Sequence, residues 1–154
     1  MIRSWMVIAG VTFAIALGAN VIRPADVKWF RRLERPPWLT FEALIPVIWS
    51  IVFVCGGWSA YVVWEQNPGE PITWATMAGY IVLEVLIVAY TPATLWSRNL
   101  KLGTYIGGIG SVLGAVLAVW VMQFSAWASF LLLPYLIWSP IGAFTTWRMH
   151  QINS

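Results

Sequence analysis

Five apolar runs, each close to the length that crosses a bilayer, constrain this chain more than any other feature. A helix needs about 20 mainly apolar residues to span the hydrocarbon core. The runs cover about residues 5–22, 43–64, 74–95, 103–124 and 127–147. Each is continuous, whereas a closed barrel would need alternating segments of about ten residues. The pattern predicts an all-α membrane protein, a bundle of five transmembrane helices in a single domain over 1–154. Charged residues make up only 10% of the chain against 60% hydrophobic, too few to coat a soluble domain.

The breaks between runs fit this reading. Residues 23–42 form the one substantial loop, and Pro24, Pro36 and Pro37 rule out a continuous helix through it. Within the loop, "DVKWFRRLE" suits a short surface helix. "EQNPGEP" (65–71) is a turn, "SRNLK" (97–101) a short basic loop, and little more than Ser125 and Ala126 divides the last two runs. Arg3, an apolar stretch and "ALGA" give residues 1–20 some features of a cleaved leader, but they read better as the first span.

Charge sets an expected orientation. Arg23, Lys28, Arg31, Arg32, Arg35, Arg98, Lys101 and Arg148 all fall on one side of an odd-numbered bundle, and Arg3 falls on the other. The positive-inside rule then places the first loop and the C-terminus in the cytoplasm and the N-terminus outside.

Twelve tryptophans demand an explanation. Trp5, Trp64, Trp74, Trp96, Trp127 and Trp147 fall near span ends, where indoles form interfacial belts. Trp49, Trp58 and Trp138 lie deeper, with core packing as the default reading. Trp49 shares a helix face with Ile45 and Phe53; Trp138 shares one with Pro134, Tyr135 and Gly142. Proline-freed carbonyls, an indole donor and a glycine gap at that depth would also suit a pocket.

Small residues form stripes at Gly103, Gly107 and Ser111, at Gly110, Gly114 and Ala118, and at Gly10, Ala14 and Gly18. Such faces let helices approach closely, within the chain or between copies. Glu84 is the one acid well inside a span; a pathway or proton role and a hydrogen bond to a neighbouring helix are both open. The lone Cys55 reads as a buried small hydrophobe, and no cluster of ligating residues accompanies His150, so no metal site is expected. No catalytic triad, carboxylate pair or phosphate loop is visible. The basic loop, joining two membrane spans, suits lipid headgroups or an anionic ligand better than nucleic acid.

"WFRRLERPPW", "VIWSIVF", "GGWSAYVVW" and "LLLPYLIWSPIGAFTTWRMHQIN" together resemble the tryptophan-rich sensory protein family, the TspO/MBR or translocator protein family. Trp29, Pro36, Trp38, Trp49, Phe53, Gly57, Tyr61 and Trp64 fall in register with its first motif, and Pro134, Tyr135, Trp138 and Asn153 with its last. The resemblance implies a five-helix bundle, commonly a homodimer, in which the loop caps a cavity that binds porphyrins and other tetrapyrroles. No separate cofactor is implied. Carried over by position, the ligand-binding residues are Phe30, Ile45, Trp49, Phe53, Ala93, Trp138 and Gly142. In some bacterial members tryptophans at the positions of Trp49 and Trp138 support light-dependent porphyrin breakdown. That gives these two a catalytic role if the chain is a photo-oxidase, and leaves tetrapyrrole or lipid transport as a further alternative. Phe30 and Phe53, each at a family tyrosine position, and Thr40, Phe41, Ala93, Leu100, Lys101 and Thr146 depart from the family pattern, and the sterol-recognition pattern is absent at the C-terminus, so sterol is not an expected partner.

Overall fold

A computed structural model describes all 154 residues as helices, turns and one extended loop, with no strand. Helix α1 (Ser4–Leu17) tightens into a 3-10 turn at Gly18–Asn20, and α2 (Pro24–Arg31) follows at 73° to it. After the loop come α3 (Ile45–Gln66), α4 (Pro71–Ser97), α5 (Leu100–Val121), α6 (Ala126–Phe130) and α7 (Leu133–Ile152).

The helix starts are set by local chemistry. Proline occupies the first turn of α2, α3, α4 and α7, where its missing N–H removes no helical bond. The Asn99 side chain caps α5 by accepting from the Leu102 N–H at 3.2 Å, and Ser125 caps α6 from Ala128 at 3.2 Å. Gly69, at φ +82°, makes the turn between α3 and α4 that a side chain would resist. The α4–α5 connection shrinks to Arg98 and Asn99, with Arg98 left-handed at φ 48°.

Two boundaries differ from expectation. The fifth run is not one helix: Pro134 starts α7 afresh, and Leu131 and Leu132 separate it from α6. The two helices still make one apolar stretch of 27 residues, Ala126–Ile152. The first run also ends early. Counting its 3-10 turn, α1 rises about 25 Å, somewhat less than the ~30 Å hydrocarbon core. Four stretches are therefore long and apolar enough to span alone, and five when α1 and α2 are taken as one bent span.

The helices pack in a ring, α1–α3–α7–α5–α4 and back to α1, with the α5–α7 contact the most extensive. Small residues explain that closeness. A Cβ on Gly107 would lie 3.2 Å from Ala143, and one on Gly114 would lie 2.4 Å from the Tyr135 ring. Both stripes on α5 thus pack within the chain, whereas Gly10 on α1 meets nothing. Only 30 of 154 residues are buried, and large apolar side chains cover the outside of every long helix, as hydrocarbon solvent requires.

Burial is uneven along the bundle axis. The apolar core (Val52, Ala60, Val63, Met77, Leu117 and Val121 among its members) fills the half remote from loop 23–42. A buried polar knot locks that half: Ser59 bonds the Tyr80 hydroxyl at 2.6 Å and donates to the Ala128 carbonyl at 2.7 Å. The half beneath the loop is hollow.

The loop is clasped over the hollow at two points. Buried Asp26 on α2 accepts from Arg23 at 2.8 Å and from Arg98, at the end of α4, at 3.1 Å. Burial pushes the Asp26 carboxyl up, but the hydrogen bonds and charges of Arg98 and Arg23 outweigh it and hold it below its ordinary value. The clasp is therefore ionised at neutral pH, and its contribution fades only as the pH falls below the ordinary carboxylate range. At the other side, Asn153 beyond α7 accepts from the Glu34 N–H at 2.9 Å and donates to the Glu34 carbonyl at 3.1 Å. Trp38 stacks on Phe144 of α7, their centroids 6.0 Å apart.

Candidate functional site

The hollow is a cavity of about 470 Å³, within the range of ligand pockets, ~300–1,000 Å³. From the loop, Val27, Phe30, Arg35 and Leu39 form its roof. One face of α3 supplies Ile45, Trp49 and Phe53 at successive helical turns. Helix α7 supplies Tyr135, Trp138, Gly142 and Thr146, and α5 adds Ile106, Gly107 and Gly110. The second half of α4 closes the ring with Ile87, Tyr90, Thr91 and Thr94.

The structure brings six of the seven sequence-predicted ligand residues to this one cavity: Phe30, Ile45, Trp49, Phe53, Trp138 and Gly142. Ala93 does not join them. The cavity face of α4 is made by Ile87, Tyr90, Thr91 and Thr94, and Ala93 is absent from it although Leu86, on its own side of the helix, borders the cavity. Its carbonyl instead accepts from the Ser97 hydroxyl at 2.6 Å.

Trp138 is 9% exposed, and its Nε1–H is the one buried side-chain polar atom without a partner. Leaving such a donor unpaired costs about 1–3 kcal/mol, so a ligand carrying an acceptor would recover that energy. The ring is held edge-on by Phe41 at 6.2 Å. Trp49 is half-buried and tilts against Phe53 at 6.3 Å. A Cβ at Gly142 would meet nothing within 4 Å, so this glycine opens the wall instead of permitting a helix contact.

Polar groups in the cavity are few and mostly paired. The Tyr90 hydroxyl bonds Thr146, which in turn donates to the Gly142 carbonyl at 3.0 Å. Ser139 bonds Ser111 at 2.8 Å. The wall is thus apolar and aromatic, with one fully buried free indole donor and charged groups only at Arg35 and Glu42.

Two further sequence candidates lie elsewhere. Glu84 does not line the cavity; its Oε1 accepts from Thr12 of α1 at 2.8 Å. Trp58 is not core: it is half exposed and meets Trp127 edge-on at 5.8 Å. Sequence reasoning missed the cavity face of α4 and α5. Residues such as Ile87 and Ile106 look no different in sequence from lipid-facing or core residues.

Comparison with known proteins agrees with the architecture. The TspO/MBR family model matches residues 6–152. The uncharacterized membrane protein YtaB of Bacillus subtilis is 27% identical over 145 residues, 93% of this chain and 92% of that protein. Tryptophan-rich protein TspO of Bacillus cereus is 22% identical over 153 residues, 99% of each chain. Translocator protein of Ovis aries is 26% identical over 161 residues, covering 99% of this chain and 94% of the sheep protein. With a helical bundle of matching length and a family match over nearly all of it, the chain belongs to the TspO/MBR family.

Proposed function

We propose that the protein is a membrane receptor or sensor that binds a porphyrin or related tetrapyrrole in the cavity beneath loop 23–42. One observation carries this reading: Trp49 and Trp138, on different helices, wall a single apolar cavity in which the Trp138 N–H has no partner. A flat macrocycle stacks on indole faces, and its heteroatoms or side groups supply acceptors. By the positive-inside rule the mouth faces the cytoplasm, since loop 23–42, Arg98 and Arg148 share one end. A homodimer, implied by the family resemblance, goes with this proposal.

The test is a titration of protoporphyrin IX into purified protein in neutral detergent, in the dark, read by quenching of tryptophan fluorescence. Saturable quenching is expected, and the double variant Trp49→Phe/Trp138→Phe should bind roughly tenfold or more weakly, as loss of central aromatic anchors predicts. Equal affinity in the double variant would misplace the site.

A second reading, light-dependent breakdown of the bound porphyrin, is favoured by the same pair of indoles lining one cavity. It predicts protein-dependent bleaching of the porphyrin absorbance band under illumination in air, lost in the double variant. Equal bleaching by both proteins, or by buffer alone, removes it.

A further inference from the structure

Arg35 is the one cationic side chain among the cavity-lining residues, and Glu42 the one acid. A guanidinium carries five N–H donors, one on Nε and two on each Nη. Nη1 is committed inside the loop: it donates to the carbonyls of Phe30 at 2.9 Å, Arg31 at 3.3 Å and Leu33. Nε donates to Glu42 Oε1 at 3.1 Å. The head group also lies 5.0 Å over the ring of Phe30, itself a wall residue.

Nη2 remains. Neither of its donors has a partner within the chain, and it is not sealed off, because the one buried unpaired side-chain atom is Trp138 Nε1. The side chain as a whole is 22% exposed. The guanidinium is therefore fixed by three carbonyls and an acid and backed by an aromatic ring, with Nη2 left free on a side chain that lines the cavity. Fixing it in advance removes most of the entropy loss that a flexible cation would suffer on binding.

We propose that Arg35 is the acid-recognising residue of this cavity: Nη2 takes a carboxylate on one edge of the ligand, and Glu42, on the same guanidinium, limits the strength of that bond. The inference rests on the cavity being the ligand site. It narrows the ligand class to flat apolar molecules with an acidic edge, the acid at the rim and the apolar body against Trp49 and Trp138. Glu42 need not leave, since it occupies Nε and the ligand occupies Nη2. The two carboxylates share one positive charge, so neutralising Glu42 should favour the acidic ligand.

The experiment compares protoporphyrin IX with its dimethyl ester, titrated in the dark into full-length protein in neutral detergent. The acid-to-ester affinity ratio is compared between variants, which cancels partition into micelles. Arg35→Gln should lower the ratio roughly tenfold, the worth of one charge-assisted hydrogen bond at a partly exposed site. Because Arg35→Gln also loses the loop carbonyl bonds, Glu42→Gln is the companion variant. It keeps those bonds and should raise the ratio by roughly threefold. An unchanged ratio in both variants overturns the assignment, as does a fall in Glu42→Gln. If neither porphyrin quenches the wild-type protein, the tetrapyrrole reading itself fails and takes this inference with it. If both bind and only the ratio is insensitive, the cavity reading stands and the acid anchor alone is wrong.

Discussion

Gly114→Ala is expected to destabilise the bundle by about 2–3 kcal/mol, although alanine is the better helix former by about 1 kcal/mol. The added Cβ would lie 2.4 Å from Tyr135 Cε1 and 2.8 Å from Cδ1. The same ring lies along both glycines, its hydroxyl 2.7 Å from where a Cβ on Gly110 would be, so it is packed close against α5 over its whole length. Tyr135 is 4% exposed and belongs to the core, so moving it separates α5 from α7, the most extensive helix contact in the fold. Thermal unfolding in detergent checks this, with Gly108→Ala as the control, since a Cβ there meets nothing within 4 Å. Equal melting of the two variants would mean that the tight α5–α7 approach is not what holds this half together.

Gly142→Leu should do the reverse, leaving stability nearly unchanged and removing ligand binding. Nothing beyond its own helix backbone and chain neighbours lies within 4 Å of the position of its Cβ, and the residue borders the cavity one helical turn after Trp138. A leucine there projects across the indole face on which a flat ligand would stack. The expected loss is about 2–3 kcal/mol of binding energy, roughly 30- to 150-fold in affinity. Porphyrin titration and thermal unfolding on the same preparation separate the two effects. Wild-type affinity in Gly142→Leu would show that the ligand does not reach this wall; a large fall in melting temperature would show that the position is packed, not open.

These two glycines show what can be read from one sequence. Both lie in apolar stretches, and helical periodicity placed Gly142 on the face of Trp138 and Gly114 in a small-residue stripe. The spans were legible because hydrocarbon leaves an unbroken apolar run as its mark. The α3 wall was legible because Ile45, Trp49 and Phe53 recur at every fourth residue. Other features left no such mark. Ala93 has its place only from a family motif, and the wall of α4 is made by its neighbours instead. The break before Pro134 follows from the place of proline in a first turn, which composition cannot distinguish from a kink within one helix. The α4 and α5 walls stayed hidden because a cavity face and a core face are both apolar. Asp26 carried a weak signal, an acid in the first turn of a proline-started helix, but its clasp with Arg98 joins residues 72 apart in sequence. Such pairing is fixed by the fold, and nothing local announces it.

The hollow half of the bundle, roofed by loop 23–42 and walled by two indoles, is best probed by the indole ¹⁵N–¹H spectrum of the protein in detergent during titration with protoporphyrin IX in the dark. Trp49 and Trp138 should shift most, with the Trp138 N–H changing from an unpaired to a hydrogen-bonded donor, while exposed Trp58 stays in place. Saturable binding that moves exposed indoles and leaves Trp49 and Trp138 untouched would contradict a ligand site in this cavity.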